Sequence, residues 1–364
     1  MKGVSRLMRQ AVDRGVFPGG VLYVQAENRV LFHEAFGEAD IYARQPMTPD
    51  TVFDLASLTK PLATAPAVLR LVQAGMLGLD DNLGDILPVF RDTDKHRITP
   101  AQLLLHTSGL PAHREYFRIL AGLPRWQRGD ALLRLLAAEP PESEPGKKQI
   151  YSDPGYMILK YIVETVSGKR LDDFVHDTLY LPLGISGLFF IDLENRGISP
   201  GIPPEALYAA TENCPRRRCL VKAMVHDDNA YESGGIAGQA GLFGTTGAVA
   251  RLMKTMLDIY HGQTTTDVLS REIVGLMLTT RPGTSRTYGF DTPDMNNSSA
   301  GRMFSQTSVG HLGFTGVSMW LDLSRDILIL LFTNRIHPDR NNIKIKEFRP
   351  LIHDSVMKAI AAGG

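Results

Sequence analysis

The hexapeptide Ala56-Ser57-Leu58-Thr59-Lys60-Pro61 decides how this chain is read. On a helix, residues three apart share a face, so the Lys60 amine lies within reach of the Ser57 hydroxyl. Pro61 has no N–H and is tolerated only in a first helical turn, which places the helix start near Ser57. Such a start leaves unpaired N–H groups and positive dipole character around the serine. A serine hydroxyl is a poor nucleophile until a base removes its proton, and a desolvated lysine is one such base. The spacing alone is weak: at ordinary Ser and Lys frequencies a chain of 364 residues contains roughly one or two by chance. Its weight comes from the motifs around it.

Two further segments carry chemistry. In Tyr151-Ser152-Asp153, the tyrosine falls on a loop just before a helix opened by Pro154, where its ring can project into a cleft. A lysine nearby favours its phenolate, which then relays a proton to a leaving group. Asp153 reads as the N-cap of that helix. In His311-Leu312-Gly313-Phe314-Thr315-Gly316, the glycines let a substrate lie against a strand edge, and the Phe314 N–H is placed to bind an oxyanion. His106 reads as structural, at a helix C-terminus, and His226 with its two following aspartates as loop-shaping. Gly234–Gly247 holds six glycines but lacks the Gly-Lys-Ser/Thr ending of a phosphate loop. It reads as tight backbone packing beside a pocket.

Working outward, residues 4–14 have a helical apolar face, and Val21–Val24, a Glu27-Asn28 turn and Val30–Phe32 form a hairpin. Ser318–Asp322 and Ile327–Phe332 form a second hairpin, followed by a helix from about Ile345 to Ala361. Between them, Thr99-Pro100, Asp153-Pro154 and Thr245 or Thr246 open helices. Strands at both ends around a helical middle predict an α/β layer closed by both termini, with the middle as a helical insertion.

Composition narrows the function. The hydrophobic share of 43% and charged share of 21% describe a globular protein with a full core. Basic and acidic residues cancel at 39 each and no Lys/Arg run exceeds three, against a nucleic-acid partner and for a small or neutral substrate. No run of about 18 apolar residues predicts a membrane span. The N-terminal stretch lacks an apolar core of signal-peptide length, so a cytoplasmic location is the expectation. Cys214 and Cys219, the only cysteines, are too few for a metal site, and no cofactor or metal is expected.

Taken in order, the motifs resemble the serine β-lactamase-like superfamily of class C β-lactamases, penicillin-binding D,D-peptidases and related esterases. The resemblance rests on residues 56–61 and 151–156, on Leu104–Leu110 and Gly241–Thr246, and on Gly310–Gly316. It implies an α/β sandwich with an antiparallel sheet built from both chain ends, flanked by helices. A mainly helical inserted domain stands beside that sheet. One catalytic unit over 1–364 results, with the α/β part at about 1–65 and 285–364 and the mainly helical part at about 66–284. It implies Ser57 as acyl acceptor, Lys60 as its activating partner and Tyr151 as the second base, with the Ser57 and Phe314 N–H groups as oxyanion hole. Lys60 and Tyr151 remain alternatives as the group that takes the serine proton.

Two residues depart from the family pattern. Asp153 stands where many relatives carry asparagine; a carboxylate cannot donate to a substrate carbonyl, and it can instead pair with Lys60 and hold it protonated. His311 stands where lactamases and peptidases usually have lysine, and a neutral imidazole attracts a substrate carboxylate less. The combination favours a serine hydrolase acting on a small ester or amide. The alternatives are a D,D-carboxypeptidase or weak β-lactamase, and a non-catalytic protein that binds peptide or cell-wall fragments in the same cleft.

Overall fold

The run Ile327-Leu328-Ile329-Leu330-Leu331-Phe332 has no polar face, and the computed structural model shows why. Residues 1–194, 197–198, 207–294 and 298–363 are described. Along the chain, α1 (Lys2–Asp13) precedes β1 (Gly19–Ala26), β2 (Arg29–Asp40), β3 (Gln45–Pro46) and β4 (Phe53–Asp54). Then come α2 (Ala65–Gln73), α3 (Asp153–Ser167), β5 (Leu188–Asp192), β6 (Gly197–Ile198), β7 (Leu242–Gly244) and α4 (Thr246–Tyr260). The chain closes with β8 (Val309–Leu312), β9 (Ser318–Asp322), β10 (Ile327–Thr333) and α5 (Ile345–Ala361). Further helices, the longest Arg125–Ala138 and Arg271–Leu278, and a small strand pair (Asn213–Cys214 with Cys219–Leu220) link these elements.

β10 lies at the centre of a six-stranded antiparallel sheet in the order β8-β9-β10-β1-β2-β3. Side chains alternate across a strand, so β10 is buried on both faces. Ile327, Ile329 and Leu331 join Leu22 and Val24 against the two terminal helices α1 and α5. Leu328, Leu330 and Phe332 face the other way, into the larger core that takes in α2, α3 and α4. The sheet is therefore made from both chain ends, as the two hairpins predict. At the first hairpin, Glu27 and Asn28 both take positive φ (49° and 62°), the left-handed pair that a tight two-residue turn requires.

The middle of the chain holds more than helices. β4, β7, β5 and β6 form a second antiparallel sheet beside the first. Each of its strands is two to five residues long, too short for periodicity to reveal in sequence. Among the described residues, no helix is long and apolar enough to cross a membrane.

Two helix starts differ from expectation. α3 is capped by Ser152, whose hydroxyl accepts from the Gly155 N–H at 3.2 Å, and not by Asp153. Asp153 is its first residue, so its carboxylate is free to point elsewhere. The helix at Ser57 does begin there, but as a 3₁₀ turn (Ala56–Leu58), then a widened π turn (Lys60–Thr64), then α2. Pro61 has no N–H to return to the Ser57 carbonyl, so the regular bonding pattern cannot start at once.

The two chain ends are locked by Asn334. Its side chain accepts from the Gly19 N–H at 2.9 Å and donates to the Glu38 and Ala39 carbonyls at 3.1 and 3.2 Å. Asn334 is buried, and truncation strands all three backbone groups without water. Asn334→Ala is expected to lower stability by about 1–3 kcal/mol in a chemical denaturation curve.

Candidate active site

Ser57 sits on a sharp corner. Ala56 before it is held at φ +46°, a conformation that non-glycine residues rarely adopt. Four hydrogen bonds through Asp54 and Thr59 hold it there. The buried Asp54 carboxylate accepts from the Ala56 N–H at 2.9 Å and, through its other oxygen, from the His226 N–H at 2.7 Å. Thr59 donates to the Ala56 carbonyl at 2.6 Å and accepts from the Leu242 N–H at 3.0 Å, tying the corner to β7. A strained, fully tied corner is where a reactive side chain is often displayed.

Lys60 is completely buried, and its ammonium has three acceptors: Ser57 Oγ at 3.1 Å, Asp153 Oδ1 at 2.8 Å and the Gln239 carbonyl at 3.0 Å. A protonated lysine has three N–H donors, and all three are used. Burial works to lower the Lys60 pKa, but the charges of Asp153 and Tyr151 outweigh it and hold the ammonium above its ordinary range. Asp153 responds in the opposite sense. Burial would raise its pKa, yet Lys60 and His113 pull it below the usual carboxylate range.

Tyr151 stands over this pair, with its ring centroid 4.9 Å from Lys60 Nζ and its hydroxyl facing Lys60 and Ser57. Burial raises its pKa; Lys60 acts against that rise without cancelling it. His106 places it. Past the end of its helix at φ +59°, the His106 ring packs 4.6 Å from the Tyr151 ring, and its Nδ1 accepts from the Ser152 N–H at 2.9 Å. Burial, then the nearby Arg286 and Lys60 charges, drive the His106 pKa well down, so it stays a neutral acceptor.

β8 forms the other wall. His311 is buried, with its ring 5.9 Å from that of Tyr151. Its Nδ1 lies 2.9 Å from the Leu312 carbonyl, which can only accept, so the proton is on Nδ1. Nε2 is left as a buried lone pair with no partner among the described residues. Burial and the Lys60 and Arg286 charges take its pKa down to about 3. The imidazole is neutral throughout the physiological range.

Beyond β8 the turn carrying Phe314 is held from behind. Arg335 donates to the Phe314 carbonyl through Nε at 3.0 Å and through Nη2 at 2.5 Å. Arg349 donates to the Gly313 and Val317 carbonyls at 3.2 and 3.0 Å. With the carbonyls turned toward the arginines, neither the Phe314 N–H nor the Ser57 N–H donates to a protein acceptor among the described residues. Two free N–H groups beside a serine hydroxyl are what a developing oxyanion needs. His226 serves this same turn: its ring stacks on Phe314 at 5.7 Å, and its Nε2 lies 3.1 Å from Glu212.

The structure thus gathers Ser57, Lys60, Tyr151, Asp153 and His311 into one cluster, with Gly313 and Phe314 along its edge. It also adds residues the sequence does not signal. Gln239 enters through its backbone carbonyl, which any residue type carries. Arg286 lies 5.2 Å over the Tyr151 ring, paired with Asp291, and lines a cleft of about 340 Å³ with Ser285, Leu312 and Trp320. His113 lies outside the motifs, with Nδ1 at 3.5 Å from Asp153 Oδ2.

Comparison with known proteins identifies the family and the fold. The profile of the Beta-lactamase family matches residues 4–352. A protein of Escherichia coli K12, provisionally named a D-alanyl-D-alanine carboxypeptidase, is 32% identical over 363 residues, covering 92% of this chain and 82% of that one. Among solved structures, EstCE1, described as a hydrolase with promiscuous acyltransferase activity, superposes with a TM-score of 0.72 at 22% identity. It covers 96% of this chain and 98% of its own. The octameric penicillin-binding protein homologue from Pyrococcus abyssi gives a TM-score of 0.73 at 20% identity, over 99% and 76%. At those identities the two structures speak for the fold.

Gly313 lets β8 close on the serine corner. A Cβ there would lie 2.7 Å from the Leu55 carbonyl oxygen and 2.3 Å from a Val317 methyl. Gly313→Ala is expected to push the two segments apart and cost about 1–3 kcal/mol, read as a lower midpoint in thermal denaturation.

Proposed function

The chain belongs to the Beta-lactamase family and is a hydrolase of that fold, and on this footing we propose that it is a serine hydrolase acting through an acyl-enzyme at Ser57 on a small ester or amide. The observation that carries the reading is the 3.1 Å contact of Lys60 Nζ with Ser57 Oγ beside two N–H groups without a protein acceptor.

Ser57 Oγ attacks the substrate carbonyl carbon, and its proton passes into the Tyr151–Lys60 pair. The carbonyl oxygen becomes an oxyanion between the Ser57 and Phe314 N–H groups. The bond to the leaving alcohol or amine breaks, that group recovers the proton through Tyr151, and the acyl group stays on Ser57. Water then attacks the acyl carbon, giving its proton to the same pair, and Ser57 Oγ leaves as the hydroxyl by taking that proton back. While Lys60 keeps all three N–H groups committed, it has no lone pair for the serine proton. The acceptor is then whichever of Tyr151 and Lys60 has first lost its own proton.

The third wall selects the substrate class. A neutral His311 with an outstanding lone pair repels a carboxylate and welcomes a donor. Arg286, the nearby cation, is already paired with Asp291. Esters and small neutral amides suit this better than the free carboxylate end of a peptide or a penicillin. The carboxypeptidase name of the relatives supports the second reading, a D,D-carboxypeptidase, for which the carboxylate site is the weak point. In either case the partner is a small molecule.

A fluorophosphonate probe is expected to label the protein, with labelling lost in Ser57→Ala and strongly reduced in Lys60→Ala. No serine-dependent labelling, together with no turnover of a nitrophenyl ester, would refute the enzyme reading. His311→Lys is expected to raise kcat/KM for a carboxylate-bearing ester over its neutral counterpart by about tenfold, the equivalent of one ion pair worth 1.4 kcal/mol. An unchanged ratio counts against the carboxylate argument.

A further inference from the structure

The Lys60 ammonium must lose a proton before it can accept the one from Ser57, and Asp153 is what holds it charged. That carboxylate has two oxygens with different neighbours. Oδ1 is 2.8 Å from Lys60 Nζ, inside the protein. Oδ2 is 3.5 Å from His113 Nδ1, and the His113 side chain is half exposed. Lysine, carboxylate and imidazole therefore form a chain running from the serine to solvent.

We propose that His113 is a positioning residue for acyl transfer: as a cation it draws on Asp153 from the solvent side and weakens that carboxylate's hold on Lys60. The inference rests on the proposed roles of Ser57 and Lys60. Its chemistry is that of two cations sharing one carboxylate: each reduces what is left for the other. The groups facing His113 are Asp153 at the start of α3, Asp227 before the short helix 228–232, and Glu115 on its own loop. All three are acidic. The bond to Asp153 is the largest influence, and it raises the His113 pKa above its ordinary value against the opposing effect of burial. Asp227 is half-buried, caps the 228–232 helix through the Ala230 N–H at 2.7 Å, and has its own pKa raised by desolvation and by Asp153. Arg114, the neighbouring cation, is committed to Glu139 and Glu142.

The sign follows. Below the raised His113 pKa the imidazolium is present, Asp153 is shared, and Lys60 gives up its proton more readily. As pH rises through that pKa the imidazolium is lost, and Asp153 holds Lys60 alone. The wild-type rise of kcat/KM with pH should therefore flatten near the His113 pKa.

The test is the pH–rate profile of nitrophenyl-ester hydrolysis in wild type, His113→Gln and His113→Lys, each checked for fluorophosphonate labelling of Ser57. His113→Gln is expected to lose about three- to tenfold in kcat/KM below the His113 pKa and to merge with wild type well above it. His113→Lys, a permanent cation, should match wild type in acid and exceed it above neutrality. A role confined to structure would lower the whole profile in parallel. In the intact enzyme, the His113 ring proton titration followed by NMR should move to lower pH in Asp153→Asn. Parallel profiles with Ser57 still labelled, or an unmoved titration, overturn the role of His113 alone. Loss of Ser57 labelling in wild type overturns both this and the reading beneath it.

Discussion

Everything near Ser57 depends on where the Lys60 ammonium is held. It is a fully buried charge, and such a charge persists only when its donors are satisfied and an opposite charge lies close. Three stretches of chain far apart in sequence supply those partners: the Ser57 corner, Asp153 at the head of α3, and the Gln239 carbonyl in the glycine-rich segment. Gly238 beside Gln239 has no room for a Cβ, which would lie 2.0 Å from the Tyr156 carbonyl. That close approach is what brings the Gln239 carbonyl down onto the lysine. The site is assembled by one cation collecting its acceptors.

The large sheet gives this arrangement its stiffness. β8 ends at the site and β10 runs behind it, buried on both faces, while Asn334 and Arg335 directly after β10 reach β1 and the Phe314 turn. Arg349 reaches the same turn from α5, and burial lowers its pKa to about 9. Every hydrogen bond these two arginines make goes to a backbone carbonyl, while Arg349 Nε stays buried without a partner among the described residues. Charge on the back of the turn fixes the direction of the Phe314 N–H on its front, the preorganisation that the proposed oxyanion site requires.

Much of this was legible in the sequence. The two hairpins at the chain ends have strong period-two or fully apolar patterns, and the Ser57, Tyr151 and His311 segments carry residues whose chemistry needs company. Less legible were features that depend on backbone atoms or on very short elements. The second sheet has strands too short to show a period. Gln239 acts through a carbonyl that every residue owns. His113 joins Asp153 through the folding of its loop, with no motif around it. The cap of α3 is ambiguous in the sequence for a physical reason: Ser152 and Asp153 are both good N-cap residues, and proline after Asp153 suits either start. The structure resolves the choice in favour of Ser152, and that choice releases Asp153 to become the counter-ion of Lys60.

The most direct measurement of the central claim is a rapid acid quench of the protein turning over nitrophenyl acetate, followed by peptide mass spectrometry. The account predicts an acetyl group on Ser57 that forms and decays at rates consistent with turnover. Acetylation confined to another residue, or turnover with no acylated species at Ser57, would contradict it.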